Sequence, residues 1–250
     1  MLGNKEKRIN SRKMQKKSLD KLSKHSLNEF AYKLIKEDII SCELLPGMII
    51  SEGLLIDRFK LSKSPTRSAL IRLKQDGLIT SRGQQGSVVS KIMISDVQEI
   101  FQLRLLIDVT VARLAAGKVN ATKLRALNKD IHSINKTNKK SKMRDYLRAN
   151  RKFHKYVAET SGNLRLAVLA ISLMEQHERI IHLGFAKQNR RHEFIHSHDE
   201  FVEALINDDR ELAARLVENS LIKGQEKVMR ALIMGSTDQI SEVGKNLSLE

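Results

Sequence analysis

Two prolines, Pro46 and Pro65, are the only ones in 250 residues, and the whole chain beyond Pro65 is free of them. A proline inside a helix removes a hydrogen bond and clashes with the preceding turn, so everything after Pro65 can form long helix. Aromatic residues make up 4% and Trp is absent. With 41% apolar residues the chain buries a core, and that core is packed mainly from aliphatic side chains on helices.

The pattern changes near residue 90. Before it, helical spacing runs through Leu27, Phe30, Ala31, Leu34, Ile35, Ile39 and Ile40. Leu45-Pro46-Gly47 is a turn, and a second helix starts near Ser51 and Glu52. The third begins in Ser62-Lys63-Ser64-Pro65-Thr66-Arg67, with Ser64 expected as N-cap and Pro65 in the first turn. Leu70, Leu73 and Leu78 form its expected buried stripe, leaving Lys63, Arg67, Arg72 and Lys74 exposed. Such a short helix with a basic start suits a DNA major groove. Gly77 ends it; Ile79–Arg82 and Ser87–Val89 read as a hairpin around Gly83-Gln84-Gln85-Gly86.

After residues 91–94, expected as a linker, Ser95-Asp96 caps a helix through Val97, Ile100, Phe101, Leu103, Leu105, Leu106, Val111, Leu114 and Ala115. Further helices are expected at 121–138, 142–161, 164–189, 193–207 and 209–234, with Gly235 ending the last and a flexible tail at 236–250. The domain plan is therefore a basic arm (1–26), a DNA-binding domain (27–90) and a helical domain (95–235).

Charge points to polyanionic partners. The formal net charge is +16, and residues 1–26 alone carry 9 Lys+Arg against 2 Asp+Glu. The arm reads as a solvated segment, which is compatible with its lying along DNA. The single Cys42 excludes an internal disulfide and fits a reducing, cytoplasmic setting. No apolar run reaches membrane-spanning length, so no membrane partner is expected.

The first part of the chain resembles the winged helix-turn-helix domain of the GntR family of transcription regulators. The resemblance is carried by Ala31-Tyr32…Ile35, Leu45-Pro46-Gly47, Ser51-Glu52…Leu54-Leu55, Ser62–Leu70, Arg72-Leu73…Asp76-Gly77-Leu78-Ile79, and the wing glycines Gly83 and Gly86. It implies a mainly α fold: a winged helix-turn-helix with a small β-hairpin wing, then an all-α bundle that binds an effector. It also implies DNA contacts by Lys63, Ser64, Thr66, Arg67 and Arg72, and by Arg82, Gln84, Gln85 and Gly86 of the wing. Lys63 stands where the family usually has Arg, and lysine cannot make the bidentate fork to guanine. Arg67 is accordingly the stronger expected reader. Gly53 and Ser68 also depart from the family pattern.

The second part resembles the FCD ligand-sensing domain of the FadR subfamily, through Arg104…Asp108, Ala112-Arg113-Leu114-Ala115-Ala116, Phe153-His154, Ser161-Gly162-Asn163 and His198…Ala204-Leu205…Asp209…Ala213. It implies a homodimer and an effector pocket around Arg104, Asp108, Asn150, His154, His198 and Ser220. Many such domains hold a divalent metal, zinc or nickel, on one Asp and three His. Here those positions are Asn150, His154, His198 and Ser220, so two of four ligands are changed, and both changes weaken binding. Two pocket histidines hydrogen-bonding a ligand or each other is the preferred reading. Arg104 suits a carboxylate, although Asp108 one turn on can neutralise it. His192 and His196 are spaced i,i+4, and His177 and His182 face either pocket or solvent.

The expectation is a sequence-specific DNA-binding regulator, a repressor, that responds to a small organic acid. The rivals are non-specific architectural DNA binding and a metal-dependent enzyme using His154 and His198. The enzyme lacks a phosphate loop, a nucleophile elbow and a metalloprotease spacing.

Overall fold

The computed structural model describes residues 24–83, 86–136, 142–185 and 197–246, with the side chains of the last helix described to residue 232. The arm, the wing-tip residues Gln84 and Gln85, and His192 and His196 lie outside these described residues. The chain forms two compact units that divide between Lys91 and Ile92.

The first unit contains α1 (Lys24–Ile40), β1 (Ile49–Ile50), α2 (Glu52–Phe59), α3 (Lys63–Gln75), β2 (Ile79–Ser81) and β3 (Ser87–Val89). Ala31, Ile35 and Ile39 of α1 are buried with Leu55 of α2 and with Ala69 and Leu73 of α3. Ser51 Oγ caps α2 by accepting from Leu54 N at 3.1 Å, and Lys60 ends that helix in the left-handed region, φ 56°. The sheet order is β1-β3-β2, antiparallel throughout. Strand β1 was not foreseen: two isoleucines in a short run carry no readable alternation. Its pairing with β3 explains Gly86, where φ is +98° and a Cβ would sit 2.8 Å from Ile50 O.

Two details of α3 differ from expectation. Its N-cap is Ser62, which places Pro65 at the third helical position rather than in a turn opened by Ser64. Proline is tolerated there because that N–H has no intrahelical acceptor. The cap also differs in kind: Ser62 makes no side-chain bond, and Thr66 Oγ1 donates to Ser62 O at 2.9 Å. Arg82 follows β2 instead of extending it, with its N–H donating to Gly86 O.

The second unit is all helix among the described residues: α4 (Ile94–Ala115), α5 (Ala121–Lys136), α6 (Lys142–Thr160), α7 (Leu164–Phe185), α8 (Asp199–Ile206) and α9 (Arg210–Asn246). Helix α4 is capped from Met93, whose N–H reaches Asp96 Oδ2 at 2.7 Å, not from Ser95. Ile92, expected in the linker, packs on this unit's core. Phe101 of α4, Leu124 of α5, Phe153 of α6, Ile180 of α7, Leu205 of α8 and Val228 of α9 build that core. Helix α9 runs through Gly235 to Asn246, so the expected helix end at Gly235 is corrected: a lone glycine costs a helix about 1 kcal/mol and does not end it. Leu103, Leu106 and Leu114, expected inside, are exposed on α4.

Candidate functional site

Helix α3 has two opposite faces. Thr66, Ala69 and Leu73 are fully buried against the first unit, whereas Lys63, Ser64 and Arg67 are exposed at the helix start. Thr66 is thereby corrected as a DNA-contacting side chain, since its hydroxyl is committed to Ser62 O inside the fold. Arg67 Nε donates to Glu52 Oε2 of α2 at 2.7 Å, with the guanidinium still 60% exposed. Arg72 is engaged elsewhere: it pairs with Glu29 and stacks 3.7 Å over the Tyr32 ring. Tyr32 in turn donates to Asp76 Oδ2 and accepts from Lys36 Nζ. The bond from Arg72 holds the Glu29 carboxyl below its usual pKa. Arg82 is exposed beside the wing turn. Glu52 as the partner of Arg67 was missed, because its neighbourhood depends on how α2 crosses α3.

The second unit encloses a cavity of about 380 Å³ between α4, α6, α7, α8 and α9. All six expected effector residues line it: Arg104, Asp108, Asn150, His154, His198 and Ser220. Most of the wall is apolar, including Phe101, Val111, Met174 and Ile181, while an exposed polar rim carries Ser197, Glu200, Asn219, Ser220, Lys223 and Lys227. Arg104 is buried; its Nε lies 2.8 Å from Asp108 Oδ2, and so does its Nη2. Its Nη1 donates to His177 Nδ1 at 2.6 Å, and His177 meets the Phe101 ring edge-on at 4.9 Å. Burial pushes the Asp108 carboxyl above its usual pKa, with the Arg104 charge opposing the rise.

His177 thus belongs to the cavity, whereas His182 does not line it and lies 3.8 Å from Glu178. The signal was present in the sequence. Ala170, Met174, His177 and Ile181 fall at i, i+4, i+7 and i+11, the spacing of one helix face, and all four line the cavity. Lys223 and Lys227, one turn apart on α9, were also missed.

His154 Nε2 and His198 Nε2 lie 3.2 Å apart, a hydrogen-bonding distance that requires one ring to donate to the other. For a divalent metal the donor set is too small. Asn150 and Ser220 bring no charge, and the Asp108 carboxylate is held by Arg104. Among the described residues no group of three or more His, Cys, Asp or Glu side chains comes together. These residues do not fit a resident metal, and nothing below is routed through one.

His198 is also the residue that precedes α8, and its carbonyl accepts from Val202 N at 2.8 Å. Its neighbour Asp199 is bound by Ser197 Oγ, by His132 Nε2 and by Asn128 Nδ2, which hold its carboxyl down at about 2. Asn128 and His132 lie on α5, so the start of α8 is tied both to the cavity and to a neighbouring helix.

Comparison with known proteins agrees with both halves. Residues 27–89 match the family described as bacterial regulatory proteins, gntR family, and residues 99–222 match the FCD domain. The HTH-type transcriptional repressor RspR of Escherichia coli K12 is 27% identical over 217 residues, covering 86% of this chain and 94% of that protein. An uncharacterized HTH-type transcriptional regulator of Bacillus subtilis, YdhC, is 25% identical over 74% of this chain and 84% of its own length. Among solved structures, Escherichia coli McbR/YncC superposes with a TM-score of 0.73 at 18% identity, over 84% of this chain and 98% of that one. A GntR regulator from Rhodococcus sp. RHA1, described as putative, gives 0.68 at 17% identity, over 82% and 99%. A winged helix-turn-helix in one unit and a helical bundle with a cavity in the other thus meet matching family models in the same order, and the chain belongs to the GntR family of bacterial transcription regulators, in its FCD-bearing branch.

Proposed function

We propose that this DNA-binding regulator is a repressor that binds a palindromic operator as a homodimer and changes its DNA affinity when a small organic acid enters the cavity. The observation that carries the DNA half is the exposed, basic start of α3 on a helix whose other face is buried. Arg67 reads base edges, Lys63 and Ser64 hold phosphate, and Arg82 follows the backbone beside the wing. Gln84, Gln85 and Gly86 are assigned to the wing's groove contact by position in the sequence. Arg72, engaged with Glu29 and Tyr32, is a supporting residue that reaches phosphate only by giving up that pairing.

On the sensing side, Arg104 holds the carboxylate of the acid, and Asp108, Asn150, His154, His198 and Ser220 surround the rest of it. DNA acts as the partner in the cytoplasm; no helix among the described residues is long and apolar enough to cross a membrane. For an effector to act, it must bind one DNA-affinity state better than the other.

The test is operator selection from random duplex DNA with the full-length protein, followed by titration of Arg67→Ala. The variant should lose about 10- to 100-fold in affinity for the selected site while keeping its affinity for random DNA within a few-fold. Equal affinity of the wild type for selected and random DNA would support architectural binding instead.

A further inference from the structure

The polar corner of the cavity is unevenly satisfied. Nε and Nη2 of Arg104 both face Asp108 Oδ2, and Nη1 donates to His177 Nδ1. One N–H on each terminal nitrogen is left for a ligand. Among the described residues the other oxygen of the same carboxylate, Asp108 Oδ1, is buried without a hydrogen-bond partner, and so is Asn150 Oδ1 on α6. Both residues line the cavity. Buried acceptors left unpaired are costly, so the ligand that completes this corner brings donors as well as an acid.

Charge decides what kind of donor. Arg104 and Asp108 neutralise each other, and the walls around them are largely apolar. A hydroxy acid would leave the enclosed group with a net negative charge. An acid that also carries an ammonium group adds no net charge, and its N–H⁺ forms a charge-assisted bond to a carboxylate oxygen.

We propose that the cavity recognises the amino-carboxylate grouping of an α-amino acid. The carboxylate takes the remaining N–H groups of Arg104, the ammonium donates to Asp108 Oδ1 and Asn150 Oδ1, and the side chain lies along Phe101, Val111, Met174 and Ile181. This assignment rests on reading the cavity as the effector site.

The experiment uses the full-length protein. Each common L-amino acid is screened by thermal shift, and the strongest ligand is titrated calorimetrically beside its 2-hydroxy and deamino counterparts. The expected result is an amino acid that binds at least about tenfold more tightly than its 2-hydroxy counterpart. Asp108→Asn, with its helix content checked by circular dichroism, should erase that difference. Because the comparison in the wild type decides on its own, misfolding of the variant does not blunt the test. Equal or tighter binding of the hydroxy acid, or no response to any amino acid, overturns the proposal. If nitrogen-free carboxylates alone bind and shift operator affinity, the effector reading stands and this inference fails. An amino acid that binds without changing operator affinity leaves the site assignment intact and sinks the effector reading.

Discussion

Arg67, the base reader proposed above, is already paired. Its bond to Glu52 at 2.7 Å holds the guanidinium at the helix start, so the base contact proposed for Arg67 has to displace that carboxylate or bring DNA close to its negative charge. Glu52→Gln should therefore tighten binding to random DNA a few-fold and steepen its salt dependence, read by fluorescence anisotropy at two salt concentrations. Unchanged affinity would mean that the pair lies away from the DNA path. At this scale the positions of Arg67 at an exposed helix start and of Arg104 on the cavity wall were legible, because their neighbours form ordered motifs. The sequence spoke poorly for Thr66: a hydroxyl in a basic helix start looks like a DNA contact until the N-cap moves two residues back to Ser62 and buries it. His177 was ambiguous because a lone histidine on an apolar face serves a core and a cavity equally well.

Among elements, the junction of α1 and α3 is held by Glu29, Tyr32, Arg72 and Asp76. Glu29 has a lowered pKa in the fold, against an ordinary 4.5. The stability it contributes is therefore present above its unfolded pKa and is lost as pH falls through the lowered folded value. Glu29→Gln should cost about 0.5 kcal/mol at neutral pH, a small figure because both partners are partly exposed. In urea unfolding the variant and wild type should converge once the pH has fallen below the lowered folded pKa; a gap that persists in acid would show that Glu29 acts through packing instead. Helix existence was legible from apolar spacing and proline placement, whereas helix ends were not. Gly235 lies inside α9, and Met93 rather than Ser95 precedes α4, because caps depend on backbone geometry that composition does not encode.

For the molecule as a whole, the exposed leucines of α4 matter most. Leu103 and Leu106 lie on its outer face, Leu106 at 68% exposure, and α7, which packs beside α4, exposes Leu164 and Val168 at 77% and 60%. Single exposed leucines are ordinary, but Leu103, Leu106 and Leu114 recur along one helix, a pattern suited to a second copy. Leu106→Glu should shift sedimentation from dimer to monomer and weaken binding to a palindromic site at least about tenfold, since paired half-sites no longer act together. A variant that remains dimeric would move the interface elsewhere. The exposed leucines also explain why an apolar period on α4 misleads a reading of the sequence: the helix carries large apolar side chains on its outer face as well as on its buried one. Position 198 carries a different lesson. Its side chain lines the cavity, its carbonyl receives the first turn of α8, and the next residue fastens that helix to α5. A library randomised around the cavity to obtain a biosensor for a new ligand should therefore yield working variants at Val111, Asn150 and Met174, while selection returns His198, whose buried ring also bonds His154 at the root of α8, largely unchanged.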